Sequence, residues 1–343
     1  MHSELHIIIP GICGPLAETQ SLQSSSVIDN WVKKLSKSSV LPFSGNVNHV
    51  LTSLFNLNIK TDFPSAAFTL LANDMYDSDA FYMHAEPVYL RADMNQAILT
   101  TSNDLNISDS ESMILCDSLN EHFNQDGLTF FILNKNQWFV SSKNKITLNT
   151  TSLLDAAGRN INFILPKGED AVYWKQVLTE AQMLMHLHEI NTTREDAGIM
   201  SINSLWFHGS GELSASEDNH IASFCGNVDM LKGLANHLQC EYLKTPNSVN
   251  EYRDYLLSCK QGSMNVLCIP ELEHLVNYTD VNPWLKQLSN ILDCWMYPLI
   301  KFSRQHNIKV VLYPCNGNKY QFSKYDNLKF WRKRNLEQYV SCY

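Results

Sequence analysis

Three short apolar runs, each stopped by a proline, constrain this chain most: residues 5–9 before Pro10, 265–269 before Pro270, and 309–313 before Pro314. A strand with one wet face alternates apolar and polar residues. A strand covered on both faces reads as a nearly continuous apolar run, and such strands belong to parallel sheets flanked by helices. Between the last two runs, Trp284, Leu288, Ile291, Trp295 and Leu299 recur at helical spacing behind Asn282-Pro283. Asn is expected there as the N-cap and Pro as the first helical residue. Strand, helix and strand then predict a right-handed βαβ unit. The fold class is α/β with a mostly parallel sheet.

The middle of the chain reads differently. Residues 89–93 and 96–100 read as strands, 110–123 as an amphipathic helix, and 128–133 with 138–141 as a hairpin around Asn134-Lys135-Asn136. This predicts an inserted α+β lobe over 87–168, with core segments 1–86 and 169–343 on either side. Residues 27–35 and 228–238 read as helices, and 69–72 as a further apolar run. Residues 170–189 read as a helix whose apolar face carries Trp174, Val177, Leu178, Ala181, Leu184 and His188.

Composition excludes some functions. The net charge is −9, which argues against a nucleic-acid partner, because backbone binding needs a basic face. The basic cluster at 329–334 reads as a solvated helix face. The nine cysteines are scattered without a CxxC pair, so neither a disulfide framework nor a structural zinc site is expected, and the usage fits a reducing compartment. No run approaches the roughly 18 apolar residues of a membrane helix. Residues 7–9 are too short for a signal-peptide core and have no basic lead. The expected location is the cytoplasm, with no membrane partner.

Open parallel sheets bind ligands beyond the carboxyl ends of their strands. A metal-dependent phosphoryl-transfer site would need carboxylates and imidazoles there, holding hard cations about 4 Å apart. The chain instead has Pro10-Gly11, Pro270-Glu271 and Pro314-Cys315-Asn316. Glu271, Glu273 and His274 make the plausible ligand cluster, set against a solvated loop. His186 and His188, two apart on a helix, diverge and do not share a metal. Arg91 and Asp93 share one face of a strand, as a local ion pair or as the lining of a cleft. His188, Asn191, Arg194 and Asn203 place an imidazole, two amides and a guanidinium near the turn Gly209-Ser210-Gly211. A guanidinium fork suits phosphate or carboxylate, and a Gly-rich turn lets amides approach an anion. The same groups could instead cap and pin the loop. No P-loop, dinucleotide fingerprint or nucleophile elbow is present.

Residues 188–211, HEINTTREDAGIMSINSLWFHGSG, resemble a segment of archaeal-type cofactor-independent phosphoglycerate mutases, in which H-P-V-N, an Arg and N-x-x-W-x-W-G-x-G are expected. His188, Asn191, Arg194, Asn203, Trp206, Gly209 and Gly211 fit that pattern, and residues 229–234 are similar to a D-L-x-K-G-I segment. Residues 86–93 and 120–128 resemble a proteobacterial branch described as mutase-like or regulatory. The resemblance implies an alkaline phosphatase superfamily core with a cap lobe, two divalent metals and a serine nucleophile. At the matching places this chain has Pro10-Gly11, Phe63-Pro64 with Ser65 out of register, no metal pattern over 271–280, and Pro314-Cys315-Asn316.

The expectation is therefore a pseudoenzyme or regulatory protein with no catalytic residue, metal or cofactor. It would bind a small anionic metabolite through His188, Asn191, Arg194, Asn203, Arg91 and Asp93, or a protein partner. Two alternatives stand beside it. One is an active Mn- or Mg-dependent mutase or phosphatase rebuilt around Glu271, Glu273, His274 or Asp280. The other is a protein–protein interaction module.

Overall fold

A computed structural model describes residues 3–14, 26–43, 45–93, 96–213, 221–277, 281–329 and 331–332. The strands among them are β1 (Glu4–Ile8), β2 (Ser39–Pro42), β3 (Phe81–Asp93), β4 (Gln96–Thr101), β5 (Leu128–Asn134), β6 (Gln137–Ser142), β7 (Ser204–His208), β8 (Ile221–Cys225), β9 (Glu241–Leu243), β10 (Met264–Cys268), β11 (Lys309–Tyr313) and β12 (Asn318–Phe322). The chain divides into two compact units, residues 1–57 with 216–343, and residues 58–215. The expected cap lobe, 87–168, lies within the second. Among the described residues no helix is long and apolar enough to cross a membrane.

The first unit holds a seven-stranded sheet in the order β2-β12-β11-β1-β10-β8-β9. From β11 to β9 every pairing is parallel, and β12 and β2 add antiparallel edges. The class α/β with a mostly parallel sheet is as expected. β1, β10 and β11 are each buried from their second residue onward, which is why their sequences do not alternate. Leu5, Ile7 and Ile9 on one face pack in a core with Trp31, Trp284, Leu288, Ile291 and Leu299. On neighbouring β8, Phe224 stacks on Phe55 with ring centres 4.6 Å apart.

The helix after β10 differs in detail from expectation. Its N-cap is Val281, without a side-chain cap, and Asn282 is already helical with Pro283 in the first turn. The segment continues through a widened π-turn at Leu292–Met296 into the helix Tyr297–His306. Pro298 lacks an N–H and its ring crowds the carbonyl one turn back. The wider turn, in which Tyr297 N–H reaches the Leu292 carbonyl, accommodates it without breaking the rod.

In the second unit β4, β3, β6 and β5 form an antiparallel sheet to which β7 also pairs through β3. The hairpin β5–β6 turns where expected, with Asn134 Oδ1 accepting from the amides of Asn136 and Gln137. The helix Asp109–Phe123 begins in a capping box between Ser108 and Glu111. The expected helix 170–189 ends earlier, at Ala171–His186. His188 is not on its apolar face. Its backbone is extended, and it caps the next helix, Glu189–Asp196, by accepting the Ile190 amide. The apolar run 69–72 lies in a buried helix, Ser65–Ala72.

One electrostatic tie sits on β1. Glu4 accepts from His6 Nε2 at 3.0 Å and from Lys309 Nζ at 2.9 Å, and chiefly the His6 bond lowers its carboxyl to about 2, from 4.5. A depressed carboxyl adds stability above its unfolded value and loses it as pH falls towards its folded value. The stability gap between wild type and Glu4→Gln should therefore shrink as pH drops from 4.5 towards 2. Urea midpoints across that window check this, and a constant gap overturns it.

Candidate functional site

The polar segment 188–203 is knitted into the second unit. Asn191 is buried, donates from Nδ2 to the carbonyls of Met185 (2.7 Å) and Ile202 (2.8 Å), and accepts the Ile202 amide at 2.7 Å. Arg194, also buried, donates from Nε to Met200 O, from Nη1 to Glu111 Oε1 at 2.8 Å, and from Nη2 to Leu105 O. Glu111 thus pairs with Arg194 through one oxygen and closes the Ser108 capping box with the other. Asn203 exchanges hydrogen bonds with both backbone groups of Leu90. His188 uses Nδ1 as a cap and meets Ser118 Oγ through Nε2 at 3.1 Å. Arg91 is exposed on β3. The Asp93 side chain lies outside the described residues, as does Asp280.

The Gly-rich turn does approach an anion, and that anion is the chain's own Asp62. Its Oδ2 accepts from the Ser210 amide at 3.1 Å, from Ser210 Oγ and from the Thr150 hydroxyl. Gly209 N–H donates to Thr150 Oγ1 at 2.9 Å. Burial pushes the Asp62 carboxyl up, against these hydrogen bonds. Gly209 has φ +71°, and a side chain there would meet Ser65 Oγ; one at Gly211 would strike the Asp62 carbonyl. Glycine at both places lets the turn lie against the start of the helix Ser65–Ala72.

Beside this turn, the register of β3 and β7 sets His84 opposite His208. Glu86, two residues on from His84, shares the same face. The imidazoles stack with ring centres 4.4 Å apart. His208 Nε2 lies 3.1 Å from Glu86 Oε2, and His84 Nδ1 lies 3.8 Å from Glu86 Oε1. Burial, then the neighbouring His208, pushes the His84 pKa well below its ordinary value, so its ring is neutral. Among the described residues this is the one group of three that could hold a metal ion. The sequence reading did not gather it. The available signal was His84-x-Glu86, two polar residues on one face of an otherwise apolar strand.

Apolar packing surrounds the described residues that follow β1 and β10. Ile12, Cys13, Leu272 and Trp284 are buried there. Gly11, at φ +78°, leaves no room for a Cβ beside Val276 and Leu272, and its carbonyl accepts from Trp284 Nε1 at 2.9 Å. Burial raises the Cys13 thiol to about 12 and raises the Cys268 thiol as well. Residues 314–317 form the link from β11 to antiparallel β12, with Cys315 at φ +59°. Glu271 and His274 are exposed on the loop after β10.

No protein-family model matches the chain. It is 26% identical over 139 residues to the 2,3-bisphosphoglycerate-independent phosphoglycerate mutase of Methanosarcina mazei, a match covering 37% of this chain and 34% of the relative. The corresponding enzyme of Methanosarcina acetivorans is 24% identical over 153 residues, 41% of this chain and 38% of the relative. The matched stretches thus span little more than a third of those relatives. Among solved structures, the chain is similar to a cofactor-independent phosphoglycerate mutase from Thermoplasma acidophilum (TM-score 0.41, 15% identity, 93% of this chain and 89% of that one). It is also similar to the PH0037 protein from Pyrococcus horikoshii (TM-score 0.49, 13% identity, 93% and 86%). The sequence matches mark a distant relationship to cofactor-independent phosphoglycerate mutases.

The buried contacts make a direct forecast. Arg194→Ala strands Glu111 and two carbonyls, and should cost about 3 kcal/mol of stability. Arg194→Lys should recover little, since an ammonium cannot reach three diverging acceptors. Gly211→Ala should cost roughly 1–3 kcal/mol, because backbone must move to admit a methyl group. Urea unfolding followed by circular dichroism measures all three.

Proposed function

We propose that this is a phosphoglycerate mutase-like protein, with an alkaline phosphatase-like core and a cap lobe, that binds rather than converts a small phosphorylated or carboxylated metabolite, or acts as a regulatory protein. One observation carries the reading: among the described residues, Ile12, Cys13, Leu272 and Trp284 pack into one buried apolar core with Ile9 and Ile269 at the carboxyl ends of β1 and β10. A two-metal phosphoryl-transfer centre clamps the attacking and leaving oxygens with hard cations, and these need oxygen ligands. The distant relationship to the mutases supports the scaffold assignment. In this reading His188, Asn191, Arg194 and Asn203 serve as a lock within the fold, and exposed Arg91 is the guanidinium that an anion meets.

The test is calorimetry with 3-phosphoglycerate, with and without Mn²⁺, beside a mutase assay. The expected result is binding unaffected by EDTA and no turnover with Mn²⁺ or Mg²⁺. Arg91→Ala should weaken that binding about tenfold or more, the loss of a charge-assisted contact, with an unchanged unfolding midpoint. Turnover abolished by EDTA would overturn the reading in favour of a site rebuilt around Glu271, Glu273, His274 or Asp280.

A further inference from the structure

The triad on β3 and β7 leaves a buried imidazole nitrogen unsatisfied. His84, Glu86 and His208 are 5%, 8% and 7% exposed. His84 Nδ1 is buried and has no hydrogen-bond partner. Nδ1 lies 3.8 Å from Glu86 Oε1, beyond hydrogen-bonding reach. A polar atom buried without a partner is unfavourable, and a cation held between the imidazole and the carboxylate would satisfy both.

We infer that His84, Glu86 and His208 bind a divalent transition-metal ion, with Zn²⁺ as the fitting member of that class. Two imidazoles and one carboxylate make an N₂O donor set that suits zinc rather than magnesium or calcium, which take oxygen ligands. His84 Nδ1, the ring nitrogen buried without a partner, is the candidate ligating atom. The candidate ligand atoms lie within 4.8 Å of one another. Bonds of about 2.0–2.2 Å in a tetrahedral set would draw them to about 3.4 Å. With all three ligands buried, the ion ties β3 to β7. The inference does not depend on the mutase-like reading, because it uses residues 58–215 alone.

The experiment takes the full chain, strips it with a chelator and titrates it with Zn²⁺ by calorimetry and with Co²⁺ by visible absorption. One equivalent of Zn²⁺ is expected to bind, with intense visible Co²⁺ bands of a tetrahedral site and a rise in Tm of about 5 °C at saturating Zn²⁺. Glu86→Gln and His208→Gln, near-isosteric changes, should each weaken binding at least tenfold and abolish those bands. The wild-type Co²⁺ spectrum stands even if a variant fails to fold. No stoichiometric binding by the stripped wild type overturns the inference. So does binding that folded Glu86→Gln and His208→Gln retain, which would place the ion on exposed groups such as His122 and Glu180.

Discussion

β1 is paired along both edges, to β10 on one side and β11 on the other, in parallel registers running from Glu4 to Ile8. Parallel neighbours cannot be joined by a tight turn, so residues 264–268 and 309–313 must be brought from the far end of the sequence. The pairing satisfies the backbone groups of β1 and leaves apolar side chains on both faces that need cover. The helix Ser26–Lys37, with Trp31 and Leu35, and the long helical segment from Asn282, with Trp284 and Leu288, supply it on one face. The same demand reaches the strand ends. Gly11 turns in the left-handed region and presents its carbonyl to Trp284, and Leu272 and Val276 close over it.

The second unit solves a different problem, the burial of polar groups. A buried guanidinium is costly unless each donor has an acceptor, and Arg194 has Glu111, Met200 O and Leu105 O. Asn191 joins the end of one helix to the entry of β7 through three backbone bonds. These residue types are also the ones a phosphate site would use. Retention of Asn191, Arg194 and Asn203 therefore has an explanation within the fold, since loss of any of them would leave buried backbone groups unpaired. The Gly209–Gly211 turn follows the same pattern, with Asp62 in the position an external anion could take.

Much of the fold was legible because it depends on local pattern. The run 309–313 matches β11 residue for residue, and the helix expected over 110–123 begins one residue earlier, at Asp109, behind the Ser108–Glu111 capping box. His188 was misplaced because helical spacing continues past His186, whereas its backbone is extended and its ring is used as a cap. Asn282 was misplaced as an N-cap because Val281 already holds that position, a shift of one residue that composition cannot resolve.

By itself, the sequence determined the class of fold: short, mostly apolar runs stopped by proline, with a helical pattern between two of them, fit strands of a parallel sheet with helices around it. It also determined which polar residues would be expensive to bury. Only the tertiary structure decided what those residues meet. Arg194 found Glu111 and two carbonyls. His84 and Glu86 found His208 through the antiparallel register of β3 and β7, although more than a hundred residues separate them in the chain. The reason is physical. Helical and strand periods act over a few residues and leave a trace in local sequence, whereas strand register across a long separation is set by the packing of the whole unit and leaves none.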